Sequence, residues 1–393
     1  MHDLPFSIPA PNPDALQLAE KLQQRIRLNI LSEGGSISFA RFMEMTLYEP
    51  GLGYYSAGLA KFGSEGDFVT APEVSPLFGY CFARQVKQIF NGLDQSDPKI
   101  ILEFGAGSGR FACDILQKLE KLSTLPDTYL ILEVSADLRD RQQQLITKEL
   151  PHLINKVSWL DHLPEEKISG VILANEVLDA LPVERFQISG NQLMEQRVAI
   201  EKNQFCFITK KATRPPAQAV EMIRQGLPDN YLFEINRSLP AWFKGLSDVL
   251  QSGVIFCVDY GCSQNDYYHP DRINGTLICH YRHRAHDDPF VYIGLQDLSA
   301  SVNFTAVAEA GFKSGLAIEG YTTQAHFLMG CGLVDLLNSE DDKSSDHYLR
   351  SSQQVKTLTL PGEMGERFKV IALTKEFDEP LMGFELNNML ERL

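Results

Sequence analysis

The chain has 393 residues, 44% hydrophobic and 22% charged, enough to bury a full core without disulfides or a structural metal, which excludes a short cystine-stapled module. Fifty-one acidic against thirty-six basic residues leave a net charge of -15, so a phosphate backbone is repelled and nucleic acid is not an expected partner, whereas a cationic protein or peptide is attracted. Seven cysteines without C-x-x-C spacing, no long apolar run for a membrane span and no basic-then-apolar leader at the start make a cytoplasmic protein the expectation.

In chain order, the apolar spacing of Leu18, Leu22 and Ile26 predicts a helix over 14–33, with Asn12 or Asp14 near its start as a cap, and a second helix follows over 39–47. Residues 49–56 and 63–73 are rich in turn formers and read as loop. A helix over 76–90 precedes a strand over 99–104, which runs into Gly105-Ala106-Gly107-Ser108-Gly109 and a helix over 111–122. A strand over 129–132 ends on Glu133; a helix over 136–150, a strand over 156–160 and a strand over 170–174 ending at Asn175-Glu176 come next. Antiparallel hairpins are predicted over 186–207 and a polar connection over 210–219. A helix over 239–250 leads to a buried strand over 253–259 ending on Asp259-Tyr260-Gly261, a long polar loop over 262–297, a helix over 304–310 and a strand over 313–319. The Ser/Asp-rich stretch 339–346 reads as a mobile loop, and 368–374 as a terminal strand.

Strands separated by helix-length segments predict an α/β chain with a mainly parallel sheet, whose last strand is an edge or antiparallel member. The expected division is a helical extension and substrate-side loop over 1–95, the first part of a core over 96–182, inserted hairpins over 183–238, and the rest of the core with further insertions over 239–393.

The G-x-G-x-G turn lies between a strand and a helix, where glycines admit special dihedrals and let a ligand approach the backbone. A phosphate cradle is disfavoured: there is no G-x-x-x-x-G-K-[ST], and Arg110 stands where G-x-G-x-x-G would end. Glu133, at the end of the next strand, is placed to accept ribose hydroxyls, a role shared by NAD sites and adenosyl-sulfonium sites. Glu103 tips the choice, since its charge suits a sulfonium or ammonium better than a pyrophosphate. Asp161 is a candidate for the adenine amino group, or else a cap or surface acid.

Taken together, Glu103 to Gly109, Gly51-Leu52-Gly53-Tyr54-Tyr55, Asp67-Phe68-Val69-Thr70-Ala71-Pro72-Glu73, Asn175 to Pro182 and Met364 to Val370 resemble one S-adenosylmethionine-dependent methyltransferase family. It includes the mitochondrial complex I assembly factor with protein-arginine methyltransferase activity and its bacterial MidA-like relatives. The resemblance covers about 20–375. It implies a Rossmann-like seven-stranded mixed sheet of the class I methyltransferase type, with an N-terminal extension and an inserted accessory region. It also implies S-adenosyl-L-methionine as cofactor: Glu103, Gly105, Ala106, Gly107 and Gly109 at its methionine end, Glu133 at its ribose, Asn175-Glu176 where cofactor and substrate meet. The stretch Gln296 to Phe304 resembles the family's Q-D-[LI]-T-A-H-V-D-F region but has Ser301 and Asn303 in place of His and Asp.

The resemblance implies an arginine acceptor on a partner protein, with a respiratory complex I subunit as the family's example, and such an acceptor would need carboxylates to grip its guanidinium. The pool is Glu73, Asp67, Glu176 and Asp179, with Glu73 and Glu176 first and Asn175 beside them; Glu73 has a helix cap as its plain alternative. Tyr54 and Tyr55, set among glycines, are candidate lid or aromatic-wall residues, with packing of the loop onto the domain as the plain alternative, and Asp259 is a further substrate contact or else part of a structural turn. His280, His283 and His286, with Cys279 nearby, lack a convincing fourth ligand, so no metal is expected and a polar substrate-side loop is favoured. The competing functions are a small-molecule methyltransferase, a noncatalytic assembly protein that keeps the cofactor fold, and, last, an NAD-dependent oxidoreductase. A homodimer is compatible with the sequence.

Overall fold

Asn12 caps the first helix, Pro13–Ser32, by accepting from the Ala15 N–H at 2.8 Å, and Pro13 suits a first turn whose N–H groups have no intrahelical partner. The computed structural model describes residues 9–57, 69–216, 227–339 and 345–393. By its contacts the chain forms two units: Met1–Phe68 with Ala180–Ser238 and Asn265–Ser301, and Val69–Asp179 with Leu239–Gln264 and Val302–Leu393.

In the first unit Leu22, Ile26 and Ile30 form a buried stripe on the opening helix, sharing a core with Phe39, Phe42 and Met43 of the helix Phe39–Tyr48. The same core takes Val198 from a five-stranded antiparallel sheet. Its strands run in the order Ser36–Ser38, Gln192–Glu201, Glu184–Ser189, Leu232–Ile235, with Gln204–Lys211 paired to Gln192–Glu201. Lys202 and Asn203, both at positive φ, make the two-residue turn of that last hairpin. The loop expected over 262–297 is corrected: it contains a second, three-stranded sheet, with Ile278–Tyr281 between Arg284–His286 and Asp297–Ser299. Arg282 and His283, again at positive φ, close its hairpin. Strands of three or four residues are too short to show a period of two in the sequence.

The second unit holds the main sheet. Seven strands run in the order Ala317–Thr323, Phe368–Lys375, Leu250–Cys262, Ile168–Asn175, Lys99–Phe104, Thr128–Leu132, Val157–Leu160, and the short Val302–Asn303 pairs with the end of Leu250–Cys262. The five strands from Leu250–Cys262 to Val157–Leu160 are parallel. Phe368–Lys375 is antiparallel to both its neighbours and is an interior strand. The helix over 304–310 extends to Lys313, so the strand expected over 313–319 begins instead at Ala317, after a turn in which Gly315 has φ +85. One face of the sheet, through Ile101, Tyr129, Ile131, Val171 and Leu173, packs in one core with Phe78, Phe82 and Phe111 of the helices Pro76–Gly92 and Arg110–Lys121. Asp67 and most of 339–346 lie outside the described residues; Ser345 already belongs to a helix, Ser345–Thr359. Among the described residues no helix is long and apolar enough to cross a membrane.

Candidate active site

The sheet order reverses between Lys99–Phe104 and Ile168–Asn175, and such a switch point opens a crevice at the carboxyl ends of the strands. Register sets Phe104 beside both Leu132 and Ala174, so the glycine loop, Glu133 and Asn175-Glu176 leave the sheet side by side. Gly105, Gly107 and Gly109 have φ of 60, 54 and 87°, a region that costs an L side chain about 1–2 kcal/mol, which is why this turn needs glycines. The Gly105 N–H donates to the Leu132 carbonyl at 3.0 Å, and Gly109 caps the helix Arg110–Lys121. Ala106 is buried in the core beneath the loop.

Glu103 lies on the face turned to those helices, fully enclosed, and the Tyr129 hydroxyl donates to it at 2.7 Å. Burial pushes its carboxyl up to about 8; the Tyr129 bond opposes that and the nearby Glu133 charge adds to it. The reading of Glu103 as a full negative charge is corrected: burial favours its neutral form.

Glu133 is buried and accepts from the Ser135 N–H at 2.9 Å and from Gln142 Nε2 at 3.1 Å. Ser135 in turn caps the helix Ala136–Glu149, whose N-terminal dipole favours a carboxylate there. Gln142 Nε2 also donates to the Gly107 carbonyl at 2.9 Å, and Trp159 Nε1 donates to Gln142 Oε1 at 2.8 Å. Sequence reasoning missed Gln142 and Trp159. The available signal was a glutamine on the buried stripe Leu138, Gln142, Ile146. Val134, next to Glu133, is 60% exposed, an apolar surface beside a buried acceptor. Asp161 is exposed and paired to Arg139 at 2.6 Å, while Arg139 also holds the Glu133 and Leu160 carbonyls.

At the next strand end, Asn175 Nδ2 donates to Glu176 Oε1 at 3.3 Å, and Asn175 Oδ1 is enclosed without a hydrogen-bond partner. Glu176 is a non-glycine residue at φ 52°, its N–H donating to the Val258 carbonyl at 2.8 Å. Asp259, read from the sequence as a substrate contact, is corrected to a positioning role. It is 0% exposed; its Oδ2 accepts from the N–H groups of Leu178 and Asp179 at 3.0 and 3.2 Å, and its Oδ1 from that of Tyr260 at 2.9 Å. Burial, then the Glu176 charge, push its carboxyl well up. Asp179 is itself buried in this turn. Glu73 sits in the short helix Ala71–Val74 and accepts from the Ser108 hydroxyl of the glycine loop. The cap of the following helix is supplied by Ser75.

Within the first unit, Tyr54 is 1% exposed and part of the core, so its reading as a lid residue is corrected to packing. Tyr55 is half-buried, stacks on Tyr48 and donates to Asp297 Oδ1 at 2.9 Å. In the second unit Asn303 caps the helix Phe304–Lys313, a local duty for one of the two departures from the family pattern.

The chemistry of this donor set fits an adenosyl cofactor: a buried carboxylate at one strand end, a glycine cradle at the adjacent one, and an unsatisfied amide oxygen at the third. A family model described as "Putative S-adenosyl-L-methionine-dependent methyltransferase" matches residues 81–322. The chain is 40% identical to a Burkholderia thailandensis protein whose crystal structure is bound to S-adenosyl-homocysteine, with a TM-score of 0.94 over 98% of this chain and 100% of that one. A native crystal structure from the same organism gives 41% identity and a TM-score of 0.89 over the same shares. Among curated relatives, the Drosophila melanogaster "Protein arginine methyltransferase NDUFAF7 homolog, mitochondrial" is 27% identical over 96% of this chain and 92% of its own length. The Homo sapiens "Protein arginine methyltransferase NDUFAF7, mitochondrial" is 28% identical over 86% of this chain and 80% of its own. Those mitochondrial names overturn the cytoplasmic expectation, which rests on cysteine usage and on the lack of a long apolar run and of a leader pattern. Fold, strand-end chemistry and family match agree, and the chain belongs to the S-adenosyl-L-methionine-dependent methyltransferases.

Proposed function

We propose that the protein methylates an arginine guanidinium of a partner protein at the strand end formed by Asn175 and Glu176. The observation that carries this reading is the unsatisfied Asn175 Oδ1 beside the Glu176 carboxylate, an acceptor pair next to the cofactor loop. A buried acceptor without a donor costs about 1–3 kcal/mol, which an incoming N–H would recover. The names of the curated relatives support arginine as the acceptor. A subunit of respiratory complex I is the particular partner that the family resemblance suggests.

In this proposal the loop Gly105 to Gly109 and Glu133 hold the cofactor by its methionine and ribose ends. When bound, S-adenosyl-L-methionine supplies an electrophilic methyl group for in-line displacement. Glu176 orients the guanidinium through charge-assisted hydrogen bonds, and Asn175 fixes the reacting nitrogen. As that nitrogen takes the methyl group it loses a proton, and in this proposal the Glu176 carboxylate receives it. Glu73 positions the glycine loop through Ser108, and Asp259 holds the turn after Glu176.

The test is incubation of the purified protein with methyl-labelled S-adenosyl-L-methionine and extract of its source organism, with mass-spectrometric localisation of the label. Enzyme-dependent label on protein arginine is the expected result. Label confined to a small metabolite would overturn the acceptor class.

A further inference from the structure

The helix Ala136–Glu149 carries three glutamines in a row, and of these only Gln142 is enclosed, at 0% exposed, on the stripe of Leu138 and Ile146. A primary amide in an apolar stripe is costly unless its groups find partners. Here they do. The Trp159 indole N–H can only donate, so the amide atom it meets must be the oxygen, and this fixes the flip of the Gln142 side chain. Both amide hydrogens then serve the far side, toward the Gly107 carbonyl at 2.9 Å and Glu133 Oε2 at 3.1 Å. The helix packs closely against residue 109, a glycine at φ +87: a Cβ there would stand 3.2 to 3.3 Å from Gln142, a tight contact.

We propose that Gln142 is a positioning residue of the cofactor site, a strut that holds the glycine loop and the Glu133 carboxylate at a fixed separation, with Trp159 setting its direction. The inference rests on the reading that the loop and Glu133 hold the two ends of the adenosyl cofactor. One Glu133 oxygen accepts from the Ser135 N–H and the other from Gln142, so the two bonds together fix the direction of the carboxylate that ribose hydroxyls would meet. The strut thereby aims the acceptors. Trp159 acts on ribose recognition from two hydrogen bonds away.

The experiment compares titration calorimetry of S-adenosyl-homocysteine and its 2'-deoxyribose counterpart, and reads the ratio of the two affinities. The proteins are wild type, Trp159→Phe, Gln142→Met, their double variant and Glu133→Gln. Glu133→Gln and Trp159→Phe should both shrink the ratio, the latter by about threefold or more, and the double variant should go no further than Gln142→Met. Equal losses for both ligands at an unchanged ratio would mean that Gln142 only packs the core, and would overturn the strut. If Gln142→Met does not fold, Trp159→Phe decides alone. A ratio lowered by Glu133→Gln but untouched by Trp159→Phe overturns the strut and spares the ribose reading. A ratio untouched by Glu133→Gln overturns both. As a second readout, the chain has two tryptophans, so in Trp242→Phe the emission of Trp159 should shift when S-adenosyl-homocysteine is added. Emission blind to the ligand would overturn the coupling.

Discussion

Two neighbouring strand ends handle their polar groups in opposite ways. Around Glu133 the acceptors and donors are matched: Ser135, Gln142 and Trp159 close a chain of hydrogen bonds that ends on the glycine loop. Around Asn175 one buried oxygen is left without a partner, and Glu176 adopts a backbone conformation that disfavours its side chain by about 1–2 kcal/mol. The first corner is preorganised, and a ligand that docks there need not rearrange it. The second departs from local preference, as sites of chemistry tend to do, and leaves hydrogen-bonding capacity for reactants.

The contrast can be broken from either side. The largest effect is expected from Asp259→Leu, which takes the carboxylate acceptor from three N–H groups behind the Asn175 corner, two of them buried. Unfolding free energy in urea should fall by about 3 kcal/mol or more. An unchanged midpoint would show that the turn is held by other contacts. Glu133→Gln should weaken S-adenosyl-homocysteine binding by about 1–3 kcal/mol in calorimetry while circular dichroism stays the same. Undiminished affinity would move the ribose elsewhere. Glu176→Gln should lower methyl transfer by about tenfold or more with cofactor affinity preserved, because the task proposed for it is to orient the acceptor. Loss of affinity in step with turnover would place Glu176 in the matched corner instead.

A further effect is a change of slope with pH. Glu103 has its carboxyl raised from 4.5 to about 8, so over that interval the folded chain holds a proton that the unfolded chain has lost. Its contribution to stability is complete below about pH 4.5 and declines as pH rises toward 8, by up to about 1.4 kcal/mol per pH unit. In Glu103→Gln that part of the decline should vanish from a series of denaturation curves between pH 5 and 8. An identical profile in both proteins would mean that the Glu103 carboxyl is ionised throughout.

The backbone of the main sheet was legible because each parallel strand is a continuous apolar run followed by a helical period, and G-x-G-x-G marks the switch point. Glu133 and Asn175-Glu176 were legible as polar residues ending such runs. What stayed hidden depends on which neighbour a side chain meets. Gln142 reads like Gln143 and Gln144 until the helix is laid against Gly109 and Trp159. Asp259 reads like any acid at a strand end, yet register with Ile168–Asn175 encloses it beneath three amides. Tyr54, among glycines, looks exposed from composition, whereas the N–H groups of Tyr54 and Tyr55 return to the Thr46 and Leu47 carbonyls and draw the segment onto the core.

The strand Phe368–Lys375 fills the gap between Leu250–Cys262 and Ala317–Thr323, although it comes after both in the chain. During synthesis these two partners leave the ribosome with a bonding edge each and nothing yet made to pair them, the kind of exposed edge that invites misassembly. The growing chain is therefore expected to stay protease-sensitive until residues 368–375 clear the exit tunnel. Arrested chains ending before and after 368–375 would reveal this as an abrupt gain of protease resistance, and a gradual gain would argue against it. A stop codon ahead of residue 368 would then remove an inner member of the sheet rather than trim its rim.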